Sequence, residues 1–281
     1  MKILNVYNQV LSCIFFALLG LQVKLLLDDF NAETIVFFRS FFGFILMMIL
    51  IFSQKKMQLF KTQNLKIHLL RSIFGTLAMY FGYSSLQYIS LSEATSIGYT
   101  KVLFSSLMAI IFLKERINFH SLFLIFFGFL GVFLITLPTQ ETNLLGIYMS
   151  IFSAICVAGG IISISYLAKI ENTLTVILYH SFISSCIFLF FFRDQINLDL
   201  KINFFYLLLL TFTALAGQYF NSESYKYGKT NKIAILSYTR IIFATFFGFI
   251  FLGENVKSLA ILGIIFIAMT TYFIKARAEK S

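Results

Sequence analysis

Lys101 and Arg240 each stand deep inside a long apolar run, and each follows the same dipeptide, Tyr99-Thr100 and Tyr238-Thr239. Each lies about eight residues from the start of its run, or about 12 Å at 1.5 Å per helical residue. That depth is close to the middle of an apolar layer about 30 Å thick. An ionised group there costs about 2.5–3.5 kcal/mol on insertion scales, so it needs a compensating partner. Two buried cations can grip a carboxylate or phosphate through charge-assisted hydrogen bonds. The neighbouring phenols can donate a hydrogen bond or stack on a planar or cationic group. The alternative for the cations is a tie to helix carbonyls or to a nearby Glu, and for each Tyr it is ordinary helix packing.

Other residues could join such a site. Gln218, Asn221 and Glu223 form an unusually polar stretch inside an apolar run, with Glu223 close enough in sequence to pair with Lys226. Tyr80 and Tyr219 each precede a Phe at matching places in the two halves of the chain. Arg39 either snorkels to the headgroup layer or braces helix packing, and it also counts among the candidate binding residues. Lys24 and Arg71 lie within a turn or two of a run's end, where long basic side chains reach the headgroup layer. His180 reads as a satisfied buried imidazole and His68 as a terminal, hydrated one.

The elements that must position these residues follow from composition. Of the 281 residues, 59% are hydrophobic and 12% charged, with 37 Phe and a single Pro. An average soluble domain has roughly 45–50% apolar and about 25% charged residues. A water-soluble globule of this length cannot bury so much apolar surface, so lipid is the solvent. Ten apolar segments follow one another: 3–27, 34–52, 67–89, 93–113, 118–137, 143–168, 173–192, 203–225, 231–252 and 257–275. They are too long for membrane β-strands, which span in about 10 residues. An all-α integral membrane protein with ten transmembrane helices is expected. The first run reaches Leu27 without a small-x-small cleavage site and reads as a retained span. Asn or Thr opens several runs, as at Asn172-Thr173 and Asn255, which suits helix starts.

The net charge of +10 comes mainly from basic residues in the short connections. With the N-terminus inside, 14 Lys and Arg fall on the cytoplasmic side and 3 on the other. That bias predicts that both termini are cytoplasmic, and it makes a nucleic-acid partner unexpected. Cys13, Cys156 and Cys186 stand singly in apolar runs and read as small buried hydrophobes.

The halves also resemble each other. With an offset of 139, Ala78–Glu115 lies on Gly217–Glu254 without a gap, and 11 of 38 positions are identical. Tyr99-Thr100-Lys101 meets Tyr238-Thr239-Arg240, and Glu115 meets Glu254. Two five-span repeats are expected, 1–139 and 140–281. An odd number of spans per repeat makes the second enter the membrane inverted. Inverted repeats mark secondary transporters, with the site at the repeat interface near mid-membrane.

Phe37-Phe38-Arg39, Phe-Leu-Lys-Glu-Arg at 112–116, Phe-Leu-Gly-Glu-Asn at 251–255 and the pair Gly128 and Gly131 carry a family likeness. The chain resembles the drug/metabolite transporter superfamily, and most of all the members whose two halves are EamA domains. The resemblance implies a ten-helix transporter of small metabolites in a bacterial inner membrane. Small relatives that export cationic drugs rely on a buried Glu in the first helix. The first and sixth runs here contain neither Asp nor Glu, so drug efflux is disfavoured.

The expected cargo is an anionic or zwitterionic metabolite, an amino acid or an S-adenosylmethionine-like molecule. The expected binding residues are Lys101, Arg240, Tyr99, Tyr238, Tyr80, Tyr219, Gln218, Asn221, Glu223 and Arg39. A membrane-embedded enzyme would need a clustered nucleophile, base or metal set, and the scattered His68, His120 and His180 do not form one. No catalytic residue, cofactor or metal is expected. A channel or scaffold subunit is a third class; internal inverted repeats favour a monomer or weak dimer surrounded by lipid.

Overall fold

The structure, a computed structural model, describes residues 3–89, 91–116, 119–136, 143–197, 204–253 and 258–279. Twelve α-helices account for nearly all of them: α1 (Ile3–Leu26), α2 (Ala32–Ser53), α3 (Leu65–Ser85), α4 (Leu91–Gly98), α5 (Thr100–Leu113), α6 (Phe119–Thr136), α7 (Leu144–Ile170), α8 (Thr173–Phe191), α9 (Phe204–Tyr225), α10 (Thr230–Leu236), α11 (Thr239–Leu252) and α12 (Ser258–Glu279). Single 3₁₀ turns sit at Met57–Phe60 and Arg193–Gln195. Seven helical stretches among the described residues are long and apolar enough to cross a membrane.

Helix starts follow the polar residues between the runs. Asn31, Asn143 and Asn172 adopt extended backbone ahead of α2, α7 and α8, and each side chain accepts the N–H of Thr34, Leu145 or Leu174. Such caps satisfy donors that the first helical turn leaves open. Asn255 and Glu254 lie outside the described residues.

Two of the ten apolar segments are each broken into two helices. The 93–113 run divides at Tyr99, and the 231–252 run divides at Ser237 and Tyr238. The backbone tightens at each break: Val102 N–H bonds to the Tyr99 carbonyl, Tyr238 N–H to Ile235 and Ile241 N–H to Tyr238. These three-residue bonds are 3₁₀ geometry, which often marks a mid-helix hinge. The far ends match too. α5 ends on Lys114 at φ 53° and α11 on Gly253 at φ 65°, each N–H reaching back five residues, to Ala109 and Gly248.

The helices interleave between the two halves of the chain. α1 packs on α9, and α7 packs on α3. Ser12 donates to the Gly217 carbonyl at 3.0 Å, while Ser153 donates to the Ala78 carbonyl at 2.7 Å. Small hydroxyls at such contacts let helix backbones approach and hydrogen-bond across. α6 and α12 form a further pair, where a Cβ on Gly131 would come within 2.9 Å of the Gly263 carbonyl oxygen.

The polarity of the molecule runs opposite to that of a soluble globule. Large apolar side chains such as Phe119, Phe126, Phe190 and Phe205 are exposed on the outer surface, while Arg39, Arg71, His68 and His180 are buried. Only lipid makes that arrangement favourable. Cys13 and Cys156 are buried as expected, but Cys186 is exposed, because it faces outward on α8.

Candidate functional site

Between the halves lies a cavity of about 260 Å³. α1 contributes Gln9, Cys13, Phe16 and Gly20, residues spaced three and four apart and so on one helical face. α3 contributes Arg71, Gly75, Met79 and Gly82 by the same periodicity, and α9 contributes Gln218, Asn221 and Tyr225. Tyr99 and Lys101 enter from the α4–α5 break, Ser237 and Arg240 from the α10–α11 break. Both breaks therefore open on the cavity.

Lys101 Nζ stands 4.8 Å from the Tyr99 ring centroid and the Arg240 guanidinium 5.8 Å from that of Phe16. Lys101 and Arg240 are both cationic and both line this cavity. Neither forms an ion pair among the described residues. Among the described residues, Arg240 Nε and the Tyr99 hydroxyl are buried without a partner, as is the Gln218 side-chain oxygen. Buried polar atoms are usually paired, so these three are the candidate ligand contacts on this wall.

The expected site residues divide into two groups. Lys101, Arg240, Tyr99, Gln218, Asn221 and Arg39 line the cavity; Tyr238, Tyr80, Tyr219 and Glu223 do not. Tyr238 supports the wall from behind. Its ring centroid is 5.5 Å from that of Tyr99, its hydroxyl donates to the Ile125 carbonyl at 3.2 Å, and Gly128 leaves room for the ring. Tyr80 packs among Phe81, Phe188 and Phe192. Tyr219 is 40% exposed on the outer surface against Phe220. Glu223 accepts from the Thr173 hydroxyl at 2.5 Å and pairs with Lys226 at 3.6 Å. Its charge is taken up there, outside the cavity.

Three expectations about basic residues are corrected. Lys24 does not reach for headgroups but donates to the Leu86 carbonyl at 2.7 Å, at the C-terminal end of α3. Arg71 is 7% exposed and lines the cavity beside His180, because α3 begins at Leu65 and carries it nearly two turns inward. His68 is fully buried, 3.8 Å from Glu171 and 4.6 Å, centroid to centroid, from Tyr179. Glu171 and Tyr179 come from more than a hundred residues away, so no local signal announces either contact.

Arg71 and His180 are the basic residues of the described lining that the expected site omitted. With Arg39 they give the cavity a second basic wall. None of the described lining residues is Asp or Glu. The described lining offers cationic and hydrogen-bonding groups and no carboxylate, chemistry that suits an anion.

A family model described as the EamA-like transporter family matches residues 6–137 and again residues 144–276. A Helicobacter pylori (strain J99) protein described as an uncharacterized transporter is 28% identical over 254 residues, which is 87% of this chain and 85% of that one. The pseudopaline exporter CntI of Pseudomonas aeruginosa is 24% identical over 257 residues, 90% of this chain and 89% of that one. Solute carrier family 35 member G1 of Homo sapiens is 26% identical over 268 residues, 89% of this chain and 73% of that one. A solved crystal structure superposes with a TM-score of 0.75 over 99% of this chain and 97% of its own, at 13% identity.

Proposed function

Because the chain belongs to the EamA-like transporter family, we propose that it is a secondary carrier moving a small anionic metabolite by alternating access around the central cavity. It is a multi-pass membrane transporter, and the observation that carries the finer reading is the chemistry of the cavity wall. Lys101 and Arg240 enter at matching helix breaks, with the Tyr99 hydroxyl and the Gln218 oxygen unpartnered beside them. No described lining residue is acidic. Buried cations of this kind suit a carboxylate or phosphate, and they repel the cationic compounds that drug exporters handle. A zwitterionic cargo has less support, since Glu223, the one acidic residue among the expected binding residues, is engaged with Thr173 and Lys226.

The carrier reading includes ten crossings arranged as two inverted repeats, 1–139 and 140–281. The family matches fall on either side of 138–143. The exchanged packing of α1 on α9 and α7 on α3 suits a twofold axis in the membrane plane. So does the meeting of Tyr99 with its repeat mate Tyr238. Discontinuous helices at the repeat interface are the usual construction of such sites. The 14-to-3 basic bias supports cytoplasmic termini, and the bacterial relatives support a bacterial inner membrane. A monomer or weak dimer suffices, since both walls come from one chain.

The test is saturable uptake of a panel of radiolabelled organic anions into proteoliposomes, in wild type, Lys101→Ala and Arg240→Ala. Both variants should insert and fold yet lose uptake. Normal uptake per folded molecule in either one removes that residue from the site.

A further inference from the structure

Arg39, Arg71 and His180 lie outside the Lys101–Arg240 wall. They come from α2, α3 and α8, and all three line the cavity while being 6%, 7% and 3% exposed. Arg71 Nη1 lies 3.5 Å from His180 Nδ1, and its Nε is buried without a partner. Arg39 Nη1 donates to the Tyr83 hydroxyl at 2.7 Å and also sits against the Met79 sulfur. Gly75 makes the arrangement possible. A Cβ there would collide with Arg71 Nη1 and lie 2.7 Å from His180 Cε1.

The protein shows what a neutral resting place for a cation looks like: Lys24 ends on the Leu86 carbonyl at 2.7 Å. Arg39 and Arg71 have no such carbonyl and no carboxylate among the described residues. Arg39 and Arg71 meet the same face of α3, Arg39 against Met79 and Tyr83 and Arg71 against Gly75, while Lys101 and Arg240 enter from the two helix breaks. The cavity thus has two basic pairs on different helices, each without a counter-charge. A guanidinium presents two parallel N–H donors to a carboxylate or phosphate, and buried unpaired charges are costly unless something pairs with them.

We propose that Arg39, Arg71 and His180 form a second anion-binding pole, so that the cargo is a small molecule with two separated anionic groups, a dicarboxylate or a phosphorylated acid. One group meets Lys101 and Arg240, the other Arg39 and Arg71, with His180 holding the Arg71 fork. The proposal rests on the reading of this cavity as the carrier's binding site.

The full-length protein in detergent is titrated with four probes: glutarate against butyrate, and phosphoenolpyruvate against pyruvate. Wild type should prefer at least one two-headed probe over its one-headed counterpart by tenfold or more. In Arg71→Gln that preference should fall to within about twofold of unity, and Arg71→Lys should retain part of it. Should Arg71→Gln not fold, Arg39→Gln reads the same pole. A wild type without the preference, or a preference that survives in Arg71→Gln and Arg39→Gln, overturns the second pole. Dependence of one-headed binding on Lys101 would in that case leave the first grip standing. Failure of all four probes to bind removes the anion reading of the whole cavity, and the second pole with it.

Discussion

Tyr99 and Tyr238 face each other with ring centroids 5.5 Å apart, and each marks the point where its apolar run breaks into two helices. Only Tyr99 reaches the cavity; Tyr238 is fully buried behind it. Truncating the rear ring should therefore act on the front one. Tyr238→Ala should lower stability by about 3–5 kcal/mol, as large aromatic-to-Ala changes do, and should abolish uptake. Tyr238→Phe loses only the bond to the Ile125 carbonyl and should cost about 1 kcal/mol. Gly128→Ala, whose Cβ would stand 2.5 Å from the Tyr238 ring, should cost about 1–3 kcal/mol by overpacking. Thermal unfolding and uptake of the three variants check the order. A Gly128→Ala protein as stable and active as wild type would show that the ring is not held there.

Glu115 ties the end of α5 to the start of α10, accepting the Thr230 N–H at 2.8 Å and the Asn231 N–H at 3.4 Å. A second tie, between the Ser165 and Thr230 hydroxyls, comes from α7. Glu115→Ala leaves the two N–H groups without this acceptor, and bonds to charged groups are worth about 1.5–3 kcal/mol. Amide exchange over 230–236 should accelerate in Glu115→Ala and rise less in Glu115→Gln, which keeps an acceptor. Unchanged protection in both variants would count against the tie.

Charge reversal should be worse than charge removal at the first grip. Lys101→Glu and Arg240→Glu put repulsion where an anion is to bind, in a medium that screens weakly. Residual uptake or anion binding should fall further than in the Ala variants. Equal losses in Ala and Glu variants would mean that the cations act through packing.

Much of this was legible in the sequence because membrane helices announce themselves by apolar length. Each of the ten runs is helical over nearly its full extent, and Lys101 and Arg240 stood out by depth alone. The breaks at Tyr99 and Tyr238 were harder to place, because no Pro marks them, although Gly98 stands directly before the first and Ser237 before the second. Direction around a helix was the other loss. Tyr80 and Tyr219 share a register with the site yet point into an aromatic cluster and to the outer surface. Arg71 was read as reaching outward because distance from a run's end says nothing about which neighbours close over it.

The acid-free lining of the cavity has a consequence for how the cycle turns. On the proposed reading, the positive charge of the described lining is balanced only while an anion is inside. Reorienting the empty protein would carry unbalanced charge through the membrane field, at about 2.3 kcal/mol per elementary charge per 100 mV. The loaded protein moves near neutrality and escapes that barrier. On the anion-carrier reading, return with an anion from the opposite side is faster than return empty, so exchange of one anion for another is the mode that reading predicts.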